Sequence, residues 1–178
     1  MRKLTTAAVG SAVFFVVAPG IVAGLVPWTI NGGWDVRWPP SAFGVAIVAL
    51  GGGLLAVAVV VLIRNFVRFV VEGRGTPSPV LQTERLVVGG DYRFVRNPMY
   101  LAVIAAILGQ AMIFGSLDLL LYALAVWAIM ATFVRWYEEP LLQNRYGEEY
   151  DRYRRGVRAW VPKLHPWRAE MDHINNAS

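Results

Sequence analysis

The chain has 178 residues, is 56% hydrophobic with a mean hydropathy of +0.46, and carries a formal net charge of +5. That composition describes one small integral-membrane domain. The absence of cysteine excludes disulfides, thiolate catalysis and Cys-based metal sites, and arginines dispersed among apolar runs without a nucleic-acid-binding motif read as topogenic, lipid-facing charge.

Residues 4–34, 38–63, 97–117 and 119–134 are free of Lys, Arg, Asp and Glu, and a helix crossing the hydrocarbon needs about 20 mostly apolar residues. Four spans are predicted, over 7–27, 43–66, 99–116 and 118–137. The first follows Arg2 and Lys3 and reads as an anchor, not a cleaved signal, because it outruns a typical signal core and Pro19 directly follows Ala18. Pro19-Gly20 predicts a kink within it. Basic residues collect before the first span, between the second and third, and after the fourth, against Arg37 alone on the other side. Both termini and the long second connection are therefore expected in the cytoplasm of a bacterial-type inner or plasma membrane.

Arg64, Arg68 and Glu72 continue the second span at helical spacing. They read either as snorkelling anchors or as holders of a lipid phosphate or an acceptor carboxylate. Glycines and prolines from Gly73 to Pro79 then end the helix. The last two spans form a hairpin with one charge, Asp118, between residues 99 and 134. Each is short, about 27 Å for some 18 residues, so a re-entrant hairpin is an alternative to two full crossings. Small residues four apart (Gly52 and Ala56, Ala49 and Gly53, Ala102 and Ala106, Ala105 and Gly109) predict close helix packing, and Gln110 is expected to bond a neighbouring helix.

Polar strings bracket that hairpin. Asn97 is a candidate N-cap before Pro98, and the free N–H groups of the helix start suit an anion. Pro140 predicts a kink that presents Glu138 and Glu139 around the bend, one facing a ligand and the other neutralised by Arg135. Leu142, Tyr146, Tyr150, Tyr153 and Val157 then form the apolar stripe of an amphipathic helix that lies on the bilayer or on the loop, and whose tyrosines can roof a site. The fold expected is thus all-α and integral to the membrane, with about four transmembrane helices and a cytoplasmic amphipathic C-terminal helix. It divides into an N-terminal helix pair (1–72), a core (73–166) and a tail (167–178).

The run Gly75-Thr76-Pro77-Ser78-Pro79, then Leu86 to Leu101, then Glu138-Glu139-Pro140-Leu141-Leu142, then Tyr146-Gly147-Glu148-Glu149-Tyr150 with Tyr153, resembles the isoprenylcysteine carboxyl methyltransferase family, to which the phospholipid methyltransferases are related. The resemblance covers roughly residues 73–166. It implies S-adenosylmethionine as cofactor, bound on the cytoplasmic side by Arg96, Asn97, Pro98, Tyr100, Leu101, Glu138 and Glu139, with Tyr150 and Tyr153. Two departures stand out: Asn97 replaces a frequent histidine, and Arg158 is displaced by one residue from the family's pattern near the end. Methyl transfer from a sulfonium needs positioning and no metal. Arg96 is assigned to the methyl donor's side, and Arg64, Arg68 and Arg93 to steering the head of an acceptor whose tail arrives from the bilayer. The activity expected is carboxyl O-methylation of a prenylcysteine-like acceptor. A phosphatidylethanolamine-type N-methyltransferase and a non-enzymatic membrane scaffold are the alternatives.

Overall fold

The computed structural model describes residues 17–33, 35–72 and 86–168, the side chains of 69–72 excepted. Expectations for Arg2, Lys3, the Glu72 side chain and the Gly73 to Pro79 breaker fall outside the described residues. No strand occurs among those described. Helix α1 is Val17–Asn31, α2 is Ala42–Glu72, α3 is Pro98–Phe114, α4 is Leu117–Tyr146 and α5 is Glu148–Gly156. Two helices, Ala42–Arg68 and Leu117–Tyr146, are long and apolar enough to cross a membrane; α1 and α3 are apolar but shorter. The four expected spans thus correspond to four apolar helices, two of which reach spanning length. Exposed Val45, Leu50, Val57 and Val60 on α2, and Leu117, Leu121, Leu124 and Ile129 on α4, give both long helices faces that lipid solvates better than water.

Helix α1 runs to Asn31, past the predicted end at residue 27, although it contains Pro27. A π turn over Ile21–Leu25 accommodates the proline. Pro27 has no N–H to offer the preceding turn, and the carbonyls there are taken by two other helices. Gln110 Nε2 donates to the Ala23 carbonyl at 2.7 Å and the Tyr122 hydroxyl to the Val22 carbonyl at 3.0 Å. Gln110 is therefore the helix-bonding amide its sequence position suggested. Gln110→Leu should cost about 1 kcal/mol by removing the donor to a part-buried carbonyl, measurable as a lowered midpoint of thermal unfolding in detergent.

The closest helix contact joins α2 to α3. A Cβ added to Gly51 would lie 2.7 Å from the Gly109 carbonyl oxygen, and one added to Gly109 would lie 2.8 Å from that of Gly51. Gly109, Ala102 and Ala106 thus serve as expected, whereas Gly52 and Gly53 have open space beside them and the contact uses Gly51 instead. Gly51→Val should separate the helices at a cost of about 1–3 kcal/mol, read in the same unfolding assay, with Gly52→Val as the neutral control. At the far end, Trp38 Nε1 donates to the Met112 carbonyl at 2.6 Å and Arg37 N–H to that of Phe114, closing the C-terminus of α3.

Beyond Phe133 the helix changes its hydrogen-bond pattern one turn ahead of the proline predicted to kink it. A π turn, Val134–Glu138, precedes Pro140, and the helix continues to Tyr146. It ends at Gly147, whose φ of 52° and ψ of −123° suit glycine alone. The predicted single amphipathic helix is consequently two pieces, but its stripe stays together. Tyr150, Tyr153 and Val157 pack with Leu142, Tyr146, Leu86, Val88 and Trp167. That apolar face is covered by the chain's own loop, not by a bilayer.

Candidate functional site

Where the ends of α1 to α4 meet the 86–97 loop and α5, they enclose a cavity of about 350 Å³ with two chemistries. One side is apolar, lined by Val22, Leu62, Val103, Met130 and Phe133; the other carries Arg96, Glu138, Glu139, Tyr100, Tyr150 and Tyr153. The apolar side draws on α1 and α2, so the 73–166 core does not build the cavity alone.

Arg96 is the hub. Its NH2 pairs with Glu139 Oε1 at 2.9 Å and its NH1 donates to the Tyr150 hydroxyl at 3.0 Å, while its Nε finds no hydrogen-bond partner among the described residues. Glu139 also meets Arg135 at 3.5 Å, the neutralising contact expected of it. Glu138 accepts a hydrogen bond from the Tyr100 hydroxyl at 3.1 Å and has no ion pair among the described residues. Both glutamates line the cavity, where only one was expected to face it. The π turn and the two different partners, Tyr100 and Arg96, draw adjacent carboxylates into the same wall.

Burial raises the phenols of Tyr92, Tyr150 and Tyr153 above their ordinary range, against the pull of the Arg96 guanidinium on the last two, so all three stay protonated at neutral pH. The Tyr153 hydroxyl can then donate to the Tyr92 carbonyl at 2.7 Å, tying α5 to the loop beneath it.

Of the residues the sequence pointed to, Arg96, Asn97, Tyr100, Glu138, Glu139, Tyr150 and Tyr153 line the cavity, and Pro98 and Leu101 do not. Pro98 opens α3, as its position implied. Asn97 makes no side-chain cap; its amide donates to the Ala159 carbonyl at 3.1 Å, because the post-α5 segment lies within its reach. Arg93 and Arg68 are likewise outside the lining. Arg93 Nε holds the Trp167 carbonyl at 2.8 Å, and the Arg68 guanidinium lies directly against Gly90. Tyr92, Leu86 and Val87, which lie in the Leu86 to Leu101 run but have no site role assigned from sequence, also line the cavity, as does the apolar wall, whose residues have no linear signal to set them apart from ordinary packing.

A third polar group braces the site from behind. Asp91 pairs with Arg64 at 3.2 Å and accepts from Asn65 Nδ2 at 2.8 Å, which pins the short 3-10 helix Gly90–Arg93 to α2.

Fold and cavity together define a small all-helical protein, lipid-compatible on its flanks, with a charged pocket at one end of its bundle. The chain belongs to the phospholipid methyltransferase family, which it matches over residues 41–149. It is 28% identical over 131 residues to protein-S-isoprenylcysteine O-methyltransferase B of Arabidopsis thaliana, covering 73% of this chain and 63% of the relative. The protein-S-isoprenylcysteine O-methyltransferase of Schizosaccharomyces pombe is 31% identical over 80 residues, 44% of this chain and 34% of its own. A protein of different name, the nickel-cobalt-cadmium resistance protein NccN of Alcaligenes xylosoxydans xylosoxydans, is 26% identical over 141 residues, 79% of this chain and 60% of its own. The chain thus spans about three-fifths of the length of the first and last of these relatives.

Proposed function

We propose that this protein is an integral-membrane methyltransferase that uses S-adenosylmethionine to methylate a lipid-like acceptor, by carboxyl O-methylation of a prenylcysteine-like group. The observation that carries the reading is the single cavity that joins an ion-paired polar wall to an apolar one. A soluble zwitterion and a greasy chain each find matching surface there, side by side.

The donor set fits an amino-acid zwitterion. Glu138, with no cation of its own among the described residues, is placed for an ammonium, and the unsatisfied Arg96 Nε for a carboxylate. S-adenosylmethionine, when bound, supplies an electrophilic methyl group on a sulfonium. The chain's part is to hold donor and acceptor in line, exclude water and keep the acceptor oxygen ionised. Tyr150 and Tyr153 roof the polar wall, and Tyr100 orients Glu138. A carboxylate acceptor is already a nucleophile, whereas the ammonium of a phospholipid amine would first need a base. Arg68 and Arg93 enter this scheme through the loop they brace. In this reading four helices cross the bilayer, the cavity faces the cytoplasm, and the acceptor tail reaches the apolar wall laterally between helices.

The test is methyl transfer from labelled cofactor by the purified protein, supplied in turn with a prenylcysteine and with phosphatidylethanolamine. A product methyl released by mild alkali is expected, as for an ester; an alkali-stable methyl on the phospholipid amine would instead establish N-methylation. Stoichiometric cofactor binding is also expected, and its absence would leave the scaffold reading. Topology has its own check in the cysteine-free chain. Single cysteines replacing Val36 and Glu149, both exposed, should react with a membrane-impermeant thiol reagent from opposite faces. Labelling of both from one face would defeat the arrangement.

A further inference from the structure

The segment that follows α5 is not absorbed by the proposed reaction. Residues 158–167 form no helix, yet backbone bonds fasten them along the 93–97 loop. Arg96 N–H donates to the Arg158 carbonyl, Lys163 N–H to that of Phe94 and Trp167 N–H to that of Arg93, each at 2.9 Å. The Asn97 amide adds its bond to Ala159. A strap held at four points presents a built surface, and this one is unusual for water. Leu164 is 93% exposed and Val161 55%, on a stretch whose Arg158 and Lys163 are also exposed.

Its position says what covers it. The Trp160 ring lies 6.3 Å from that of Trp127 and 6.4 Å from that of Tyr100, centroid to centroid. Trp127 precedes Trp136 by nine residues on α4, so it lies about 13 Å further along the helix, away from the Glu138 end. Trp136, 79% exposed, suits the interfacial belt where indoles concentrate. At Trp160 the strap therefore reaches down the flank of α4 below that belt, onto a helix whose Leu121 and Leu124 are exposed. The tyrosine face of α5 does not compete for the same lipid, since the loop and Trp167 cover it.

We propose that residues 158–165 form a wedge seated in the leaflet beside Tyr100 and Trp127. Val161 and Leu164 lie among the acyl chains, and Arg158, with Arg154 and Arg155 at the end of α5, stands at the lipid phosphates. This rests on the membrane reading above, because it takes the exposed flank of α4 to be lipid-facing.

The cysteine-free chain makes the test direct. Single Leu164→Cys, Val161→Cys, Leu124→Cys and Glu149→Cys variants of the full chain are labelled with a fluorophore in phospholipid nanodiscs, then exposed either to a quencher carried high on the acyl chains or to iodide in the buffer. Labels at 161, 164 and 124 should be quenched from the lipid and shielded from iodide, and the label at 149 should behave in the opposite way. Labels at 161 and 164 that follow 149 while 124 follows the lipid would overturn the wedge and leave the membrane reading standing. An aqueous response at 124 would overturn both.

Discussion

Replacing Arg96 with methionine should lower the unfolding free energy by about 3–5 kcal/mol, the usual result of removing one partner from a buried ion pair. Its side chain and that of Glu139 are only 12% and 9% exposed, and their contact is 2.9 Å. The substitution strands the Glu139 carboxylate and withdraws the guanidinium from the Tyr150 hydroxyl. Arg135 does not make up the loss: it sits at 3.5 Å and is 65% exposed, where water screens most of the attraction. Chemical denaturation in detergent reads the effect. The double variant Arg96→Met with Glu139→Leu should recover much of it, since two apolar side chains leave no buried charge. A single variant as stable as the parent would mean that solvent already reaches the pair.

The second large effect is expected on binding. Glu138→Gln should weaken S-adenosylmethionine by about 2–5 kcal/mol, because a buried ammonium would lose its counter-charge while keeping a neutral hydrogen-bond acceptor. Titration calorimetry measures this directly. Tyr100→Phe should give a smaller loss of about 0.5–1.5 kcal/mol, as it removes only the hydroxyl that orients the carboxylate. Glu139→Gln should differ in kind. Its carboxylate is already engaged by Arg96 and Arg135, so the change should appear more in stability than in affinity. Unchanged affinity in Glu138→Gln would remove that residue from the cofactor site and require the zwitterion to bind the other way round or elsewhere.

Much of this arrangement is local in origin. Apolar runs determine the helices, and Pro98 determines where α3 begins. Two prolines were harder to read. Pro27 and Pro140 each lie just past a π turn, in a helix that continues beyond them. Both outcomes depend on what is available nearby to satisfy or relieve the preceding carbonyls, as the bonds from Gln110 and Tyr122 to α1 illustrate.

By itself the sequence determined the apolar helices, the polar strings that bracket the hairpin, and the chemical types gathered there: an arginine, two carboxylates and a set of tyrosines. Those follow from residue identity and short-range spacing. Only the tertiary structure decided how the same groups are used. It gave Glu139 to Arg96 and Glu138 to Tyr100, turned Asn97 and Arg93 toward the strap, and left Arg68 against Gly90. The physical reason is that each of these partnerships joins residues far apart in the chain, and a charged or polar side chain takes whichever partner folding brings within about 3 Å.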